Sequence, residues 1–389
     1  MLTSFLLVWL VTQAIGVGLV WLFTVGLGRP VVLQRFPRVA ILVPVKGHDF
    51  ELDEFLARLF EQDYPAFRVI FAVEAADDPA VSAIEKCRAL APDRVTLVVA
   101  LHLVDEGQKT TNLRAALAEL SSDDEILVLA DADIWPERDW LKRLIAPLVE
   151  GTADLVSGFP WLVTKDRKLA SYALTSMAAS VATIPRLPLL NAAWGGSIAI
   201  RREKFMALGM AEEWRGTLSE DLQLTNVAQR AGCRIVAPRE LLLRTAIRTD
   251  GFGDVTAQVR RWYMLVRVHM PATYGLTVAA VSFSAAGWIA CLLGALALRL
   301  NALAILAAAL ALLVVRAAGR ARLVRRLWGK AGLAENMGYL RLDPLVSPLA
   351  TVMSAAYGWS ALWMTRTTWA GITYDIRGPQ EVRVLKRDG

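Results

Sequence analysis

Residues 1–28 carry no charged side chain, and three further uncharged stretches occupy roughly 271–298, 300–315 and 344–365. About 20 apolar residues in a helix cross a hydrocarbon core about 30 Å thick, so the first two runs are long enough to span and 300–315 is short. Arg29, Arg35 and Arg38 follow the first run. A cleavable signal peptide carries its cations before the apolar stretch, so 1–28 reads as a permanent anchor with its N-terminus outside and the next domain in the cytosol.

The charge distribution supports a membrane partner. From Val268 onward there are 13 basic and 5 acidic residues, so the whole +6 surplus lies in the C-terminal third. Those cations flank apolar runs, as anionic headgroups favour, rather than covering a folded face as in a nucleic-acid binder. With 55% hydrophobic residues and a mean hydropathy of +0.40, the chain is not intrinsically disordered. Over 316–341, a loop carries Arg316, Arg320, Arg322, Arg325, Arg326, Lys330 and Arg341 against Glu335 alone, which assigns it to the cytosol. The tail after Thr365 is basic too. Four spans would put it outside, so 344–365, with Pro344, Pro348 and Gly358, reads as a re-entrant or interfacial segment.

Between these ends, β-rich runs at Val39–Val45, Phe67–Glu74, Arg94–Leu101, Glu125–Asp131 and Ala153–Phe159 alternate with amphipathic stretches at 51–62, 79–90, 109–120 and 137–149. That alternation predicts an α/β fold with a mostly parallel, doubly wound sheet, whose ligands bind beyond the carboxyl ends of the strands. The resulting organisation is an anchor over 1–28, a cytosolic domain over 36–250, an interfacial amphipathic helix over 251–270, a membrane domain over 271–365 and a basic cytosolic tail over 366–389. Cys87, Cys233 and Cys291 lack metal-ligand spacing and argue for a reduced compartment. His48, His102 and His269 are scattered and read as surface or packing residues.

The first strand ends in Pro44-Val45-Lys46-Gly47, with neither a dinucleotide-binding glycine turn nor a P-loop. Carboxylates collect at strand ends instead. Asp131 and Asp133, in D-x-D spacing, can share one hard divalent cation that bridges the phosphates of a nucleotide diphosphate, or can simply start a turn. Glu74, Asp77 and Asp78 either cap a helix or accept hydrogen bonds from a base or ribose. Lys109, in Gly107-Gln108-Lys109-Thr-Thr-Asn112-Leu113, opens a helix where phosphate can bind, or is a solvated lysine. Ser219-Glu220-Asp221 starts another helix, and either acid could take a proton from an attacking hydroxyl. Gln258-Val259-Arg260-Arg261-Trp262 lies on a basic amphipathic helix of the kind that rests on a bilayer.

The ordered set Asp77/Asp78, Asp131-Ala-Asp133, Glu220-Asp221 and Gln258-x-x-Arg261-Trp262 resembles the D, D, D, (Q/R)xxRW pattern of membrane-bound family 2 and family 21 glycosyltransferases. Val45-Lys46-Gly47, Gln62-Asp63-Tyr64-Pro65, Asp77-Asp78-Pro79-Ala80, Lys109-x-x-Asn112-Leu113 and Ser219-Glu220-Asp221 are most similar to the landmarks of ceramide glucosyltransferases. The likeness spans about 40–265. It implies a glycosyltransferase-A fold, a UDP-sugar donor with glucose favoured, Mg²⁺ or Mn²⁺, and an inverting displacement. Carried over, Glu74, Asp77, Asp78, Lys109, Asn112 and Asp131 would meet the donor, and Asp131 and Asp133 the metal. Asp221 would be the general base with Glu220 as its competitor, and Gln258, Arg261 and Trp262 would sit by the pyrophosphate and the acceptor entrance. The chain departs from the eukaryotic ceramide enzymes at Asp133, where they carry glycine.

Its Ala-, Leu- and Arg-rich composition reads as a multi-pass bacterial inner-membrane protein with a cytoplasmic active site, whose acceptor would be ceramide, diacylglycerol or a hopanoid. Residues 171–195, with Pro185 and Pro188, read either as an interfacial lip for that lipid or as a buried helix. A processive polysaccharide synthase shares the motifs but usually needs more spans. A non-catalytic scaffold or a small transporter component leaves the intact acidic and QxxRW positions unexplained, and the spans lack the ionisable residues of a transport path.

Overall fold

The computed structural model describes residues 1–28, 31–48, 50–184 and 191–387. Arg29, Pro185 and Pro188 therefore lie outside the described residues. After helix α1 (Leu2–Phe23) come β1 (Val39–Pro44), α2 (Phe50–Phe60), β2 (Phe67–Val73), α3 (Ala80–Leu90) and β3 (Val95–Val99). Next are α4 (Gln108–Leu117), β4 (Ile126–Ala130), β5 (Ile134–Trp135), α5 (Trp140–Val149), β6 (Leu155–Ser157) and β7 (Phe159–Thr164). Then follow α6 (Leu169–Ala182), β8 (Ser197–Arg201), α7 (Arg202–Ala207), α8 (Met210–Glu213), α9 (Glu220–Arg230), β9 (Ile235–Val236) and β10 (Leu242–Ile247). The chain continues through α10 (Phe252–His269), α11 (Pro271–Leu296) and α12 (Leu300–Ser360) to β11 (Arg366–Trp369), β12 (Ile372–Gly378) and β13 (Glu381–Arg387).

The main sheet has the order β3-β2-β1-β4-β8-β6-β9. Its β3-β2-β1-β4 half is parallel, as the alternation predicts, and β8 is inserted antiparallel between β4 and β6. The central strands β1 and β4 are apolar on both faces because both are covered. Val39, Ile41 and Val43 point into one core with Phe55 and Leu144, while Ala40 and Leu42 point into the other with Leu113 and Leu224. Helix α5 lies flat because Trp140, Leu141, Leu144, Ile145 and Leu148 form one stripe at helical spacing. A second sheet, β5-β10-β7, carries Trp161, Val163 and Leu242 into a core shared with α6 and α12.

Among the described residues, three helices are long and apolar enough to cross a membrane: Leu2–Phe23, Pro271–Leu296 and Leu300–Trp363. The arginine-bearing stretch read as a loop is helical. Helix α12 runs unbroken from the short apolar run 300–315 through those arginines to Gly329, whose φ of +67° and ψ of −157° separate 300–328 from 330–360. The two arms fold back on each other, with Arg320 bonded to Tyr339 and Asp343. The second arm starts where Glu335 pairs with Lys165 and Arg244 at 2.8 and 3.2 Å. Beyond its end, Trp369 of β11 packs beside Leu218 and Met264.

The stretch read as a basic tail forms an antiparallel sheet, β11-β12-β13. Ala370 and Gly371, both at positive φ, make its first two-residue turn. Ile372, Tyr374, Ile376 and Val382 form one face and pack on Leu218 and Met264, so alternation that reads as a charged tail in sequence has a buried side.

Candidate active site

The carboxyl ends of β1, β2 and β4 and the start of β8 meet at one edge of the main sheet. Lys109, in the first turn of α4, reaches Asp131 at 2.7 Å and Glu220 at 2.6 Å. Burial alone would favour loss of its proton, but Asp131, Glu220 and Asp221 outweigh that and hold the ammonium above the usual lysine range. Lys109 is thus a buried ion-pair centre, and not the solvated lysine that its sequence context allows.

Asp131, Asp133, Glu220 and Asp221 are the carboxylates around it. Glu220 is buried, and that burial pushes its carboxyl up to about 7 despite the adjacent ammonium. Asp133 is exposed by its surface area, yet partial desolvation and then the Asp131 charge push it up to about 7 as well. One ammonium among four carboxylates leaves an excess of negative charge, so these residues fit a divalent cation. Among the described residues no three His, Cys, Asp or Glu side chains converge on one point. Asp131 and Asp133 would be the two carboxylates to hold such an ion.

Asp221 is held differently from its neighbour. Its Oδ1 accepts hydrogen bonds from the Ser219 hydroxyl at 2.5 Å and the Leu222 amide at 2.7 Å, and its Oδ2 accepts one from the Gly195 amide at 2.9 Å. Asp221 is half-buried and open to the cleft, whereas Glu220 sits behind Lys109. Gly195 was not legible as a site residue. A Cβ there would lie 2.3 Å from Glu220 Oε1 and 2.8 Å from Lys109 Nζ, so a side chain at this strand entry would have to displace the Lys109–Glu220 pair. The paired glycines before an apolar strand were its signal.

At the neighbouring strand ends, Lys46 pairs with Glu74 at 2.8 Å. Asp78 accepts hydrogen bonds from the amides of Gly47 and Ala80, at 3.0 and 2.8 Å, and so ties the β1 turn to the start of α3. Gly47, at φ +72°, occupies the left-handed conformation this turn requires. Asp77 is exposed beside it. Asn112 lies apart from the cluster: its amide donates to Ala72 O and accepts from Gln108, joining α4 to β2. Gln62 and Tyr64, two further landmarks, bind Glu137 O and Pro37 O and stitch the scaffold together.

Helix α10 brings Arg261 to the site. Its guanidinium bonds to Gln258 and lies 5.1 Å from the ring centre of Trp369, which is also 6.0 Å from Lys109 Nζ. Burial lowers Arg261 to about 10, which still leaves it charged near neutrality. Trp262 packs instead on the apolar cluster of α6 and α10 with Val255 and Val259. His269, at the end of α10, is buried, and that burial drives it down to about 4 against the pull of Asp221, so the ring is neutral. Trp369 is the main addition to the expected set. Its sheet is anchored by Val384 N–H to Val104 O (2.7 Å), Arg387 to Leu103 O (3.0 Å) and the Gln108 amide to Tyr374 Oη (3.3 Å). Of the proposed lip, residues 170–182 are largely buried between β7, α10 and α12, and Val181 and Ile184 are exposed at its end.

Comparison with known proteins bears on the whole arrangement. A ceramide glucosyltransferase of Komagataella phaffii (strain GS115 / ATCC 20864) is 30% identical over 148 residues, 37% of this chain. The match spans only 29% of that relative's length. The mannosyltransferase PcManGT from Pyrobaculum calidifontis, solved with GDP-Man and Mn²⁺, is similar in fold at a TM-score of 0.52 and 22% identity, over 85% of this chain and 100% of that one. Staphylococcal TarS 1–349, solved with UDP-GlcNAc, aligns over 90% of this chain and 100% of its own at a TM-score of 0.40 and 13% identity, too distant to bear on the site. The model of glycosyl transferase family 21 matches residues 2–382, from the first helix through the catalytic sheet and into β13. The chain therefore belongs to glycosyl transferase family 21.

Proposed function

We propose that the protein transfers glucose from UDP-glucose to the hydroxyl of a membrane lipid, ceramide or one of similar shape, with inversion, at the cytoplasmic face of a bacterial inner membrane. The observation that carries this reading is the carboxylate group around Lys109, placed at the strand ends beneath Arg261 and Trp369 and joined through α10 directly to apolar helices. Asp221 is the general base, since its carboxylate is accessible and oriented by three donors. The acceptor hydroxyl attacks the anomeric carbon, its proton passes to an Asp221 oxygen, and the bond from that carbon to the diphosphate oxygen breaks as UDP leaves. A single displacement inverts the centre.

Asp131 and Asp133 would hold Mg²⁺ or Mn²⁺, which neutralises charge accumulating on the departing diphosphate. Arg261 adds a fixed positive charge at the same place. Glu220 keeps Lys109 in position, and Glu74, Asp77 and Asp78 line the end of the sheet where a uridine would lie. Orientation follows from the ties at both ends of 336–365. Glu335 is bound to the catalytic domain and Trp369 lies over Arg261, so this segment leaves and returns on one side and does not span. With α1, α11 and the first arm of α12 crossing, the catalytic sheet and the arginines of α12 both face the cytosol, as the positive-inside rule requires.

The test presents the full chain in lipid nanodiscs with UDP-glucose, UDP-galactose, UDP-GlcNAc and GDP-mannose, together with ceramide or diacylglycerol. UDP release and glycolipid mass are followed together. Glucosylated lipid as the dominant product is expected; donor turnover that yields only polymer or free sugar would overturn the lipid acceptor.

A further inference from the structure

We propose that a crevice between α1, the end of α6 and α12 binds the phosphate of an anionic membrane lipid through Arg316 and Arg320. The inference rests on α1 and α12 lying in the bilayer and is independent of the sugar and acceptor proposed above.

Arg320 is fully buried and donates to Asp343 at 2.8 Å, Tyr339 at 2.7 Å and Ser180 at 3.0 Å. Asp343 Oδ1 is crowded, because Ser176 and Ser347 also donate to it at 2.9 and 2.8 Å. Arg316 is left with Ser347 and a distant 3.8 Å approach to Asp343. Two guanidinium groups thus face one carboxylate. The Nε atoms of both arginines are buried without an acceptor among the described residues. An uncompensated cation in an apolar helix bundle is costly, and an anion from outside removes that cost.

The space for it is present. Arg316 and Arg320 line a cavity of about 160 Å³ together with Thr12, Gln13, Ser180 and Thr183. Five water-sized groups fill roughly that volume, enough for a phosphate and part of a glycerol. Gly16, Val17, Leu312 and Leu313 form an apolar wall along which acyl chains can run. Depth agrees as well: the Trp21 indole donates to Val315 O, and Arg322 lies 5.9 Å from the same ring. Tryptophan beside arginine is characteristic of headgroup level.

Detergent-purified full-length protein is examined by native mass spectrometry and thermal unfolding with phosphatidylglycerol, phosphatidylcholine or inorganic phosphate. Phosphatidylglycerol should be retained and should raise Tm more than phosphatidylcholine does, and excess inorganic phosphate should not displace it. Arg316→Gln should weaken retention by roughly tenfold or more, as expected for loss of a charged hydrogen-bond partner. Arg325→Gln removes the same charge from an exposed position and should change little. Gly16→Leu provides an arm that leaves both arginines intact: a Cβ there has nothing within 4 Å, so the side chain enters the cavity and should exclude the lipid. Wild-type retention by both Arg316→Gln and Gly16→Leu, or equal loss in Arg325→Gln, would overturn the site. Displacement by inorganic phosphate would overturn the lipid as its source.

Discussion

Two charge clusters in this molecule are unbalanced in opposite directions. At the strand ends, one ammonium stands among four carboxylates; between α6 and α12, two guanidinium groups face one carboxylate. Both lie in surroundings that penalise net charge, and each is left short of a counterion. The catalytic excess is negative and opens on a cleft, which suits a cation carried with a diphosphate. The membrane excess is positive and opens on a crevice along α1, which suits a lipid phosphate. Neither cluster is strong evidence for stability by itself, since desolvation offsets much of the attraction in any buried pair. Each is better understood as a site that becomes balanced on binding.

The largest expected effect separates Asp221 from Glu220. Asp221→Asn should lower turnover by roughly 10²–10⁴-fold with donor affinity retained, because the proton acceptor is lost. The substitution also sets an amide NH₂ or a weaker acceptor against the Gly195 amide, so UDP binding by calorimetry must accompany the rate. Glu220→Gln in the same assay should cost less, acting through Lys109; a deeper loss there would transfer the role of base.

On the other side of the comparison, Asp343→Asn removes the single counterion of Arg316 and Arg320. Loss of one member of a buried ion group costs about 3–5 kcal/mol, so Tm should drop sharply and phosphatidylglycerol should recover part of it. Insensitivity to the lipid would show that the two clusters are not alike in needing a ligand.

Metal and pH probe the negative cluster. Excess chelator should abolish turnover, and Asp133→Ala should weaken Mn²⁺ activation by roughly 10–100-fold or more. Asp133 and Glu220 rise from 3.8 and 4.5 to about 7 on folding. Their protonated forms are favoured in the folded chain, so the stability they contribute is fully present below about 4 and is lost as pH rises through about 7. Metal-free Tm should accordingly decline between pH 5.5 and 8, and Mn²⁺ should restore it at pH 8. A flat profile would remove the charge imbalance from the account.

The smallest effect belongs to Trp369. Its contacts with Arg261 and Lys109 are cation–π in kind, worth about 0.5–1 kcal/mol when partly exposed, so Trp369→Ala should raise the donor KM by roughly 2–5-fold with kcat little changed. An unchanged KM would make the ring a packing residue.

Much of the frame was written locally. Strands such as Val39–Pro44 and Ile126–Ala130 and the helices between them follow from apolar periodicity within a few residues of one another, which is why they could be placed from sequence. The D-x-D pair, Lys109 and Glu220-Asp221 were found because chemistry-bearing residues stood at the ends of those elements. The antiparallel insertion of β8 carries no such mark, since strand direction is set by partners distant in sequence. The arginine stretch of α12 looked like a loop because charge density outweighed periodicity.

What the sequence by itself determined is therefore the alternation, the membrane runs and the residue types available at each strand end, all governed by interactions over a few positions. Only the tertiary structure decided which of those residues share a site. It set Gly195 against Lys109, turned Asn112 into scaffold, folded 366–387 over the cleft to deliver Trp369, and matched Arg320 with Asp343. These outcomes depend on packing between segments up to hundreds of residues apart, where burial and excluded volume, rather than local propensity, choose the neighbour.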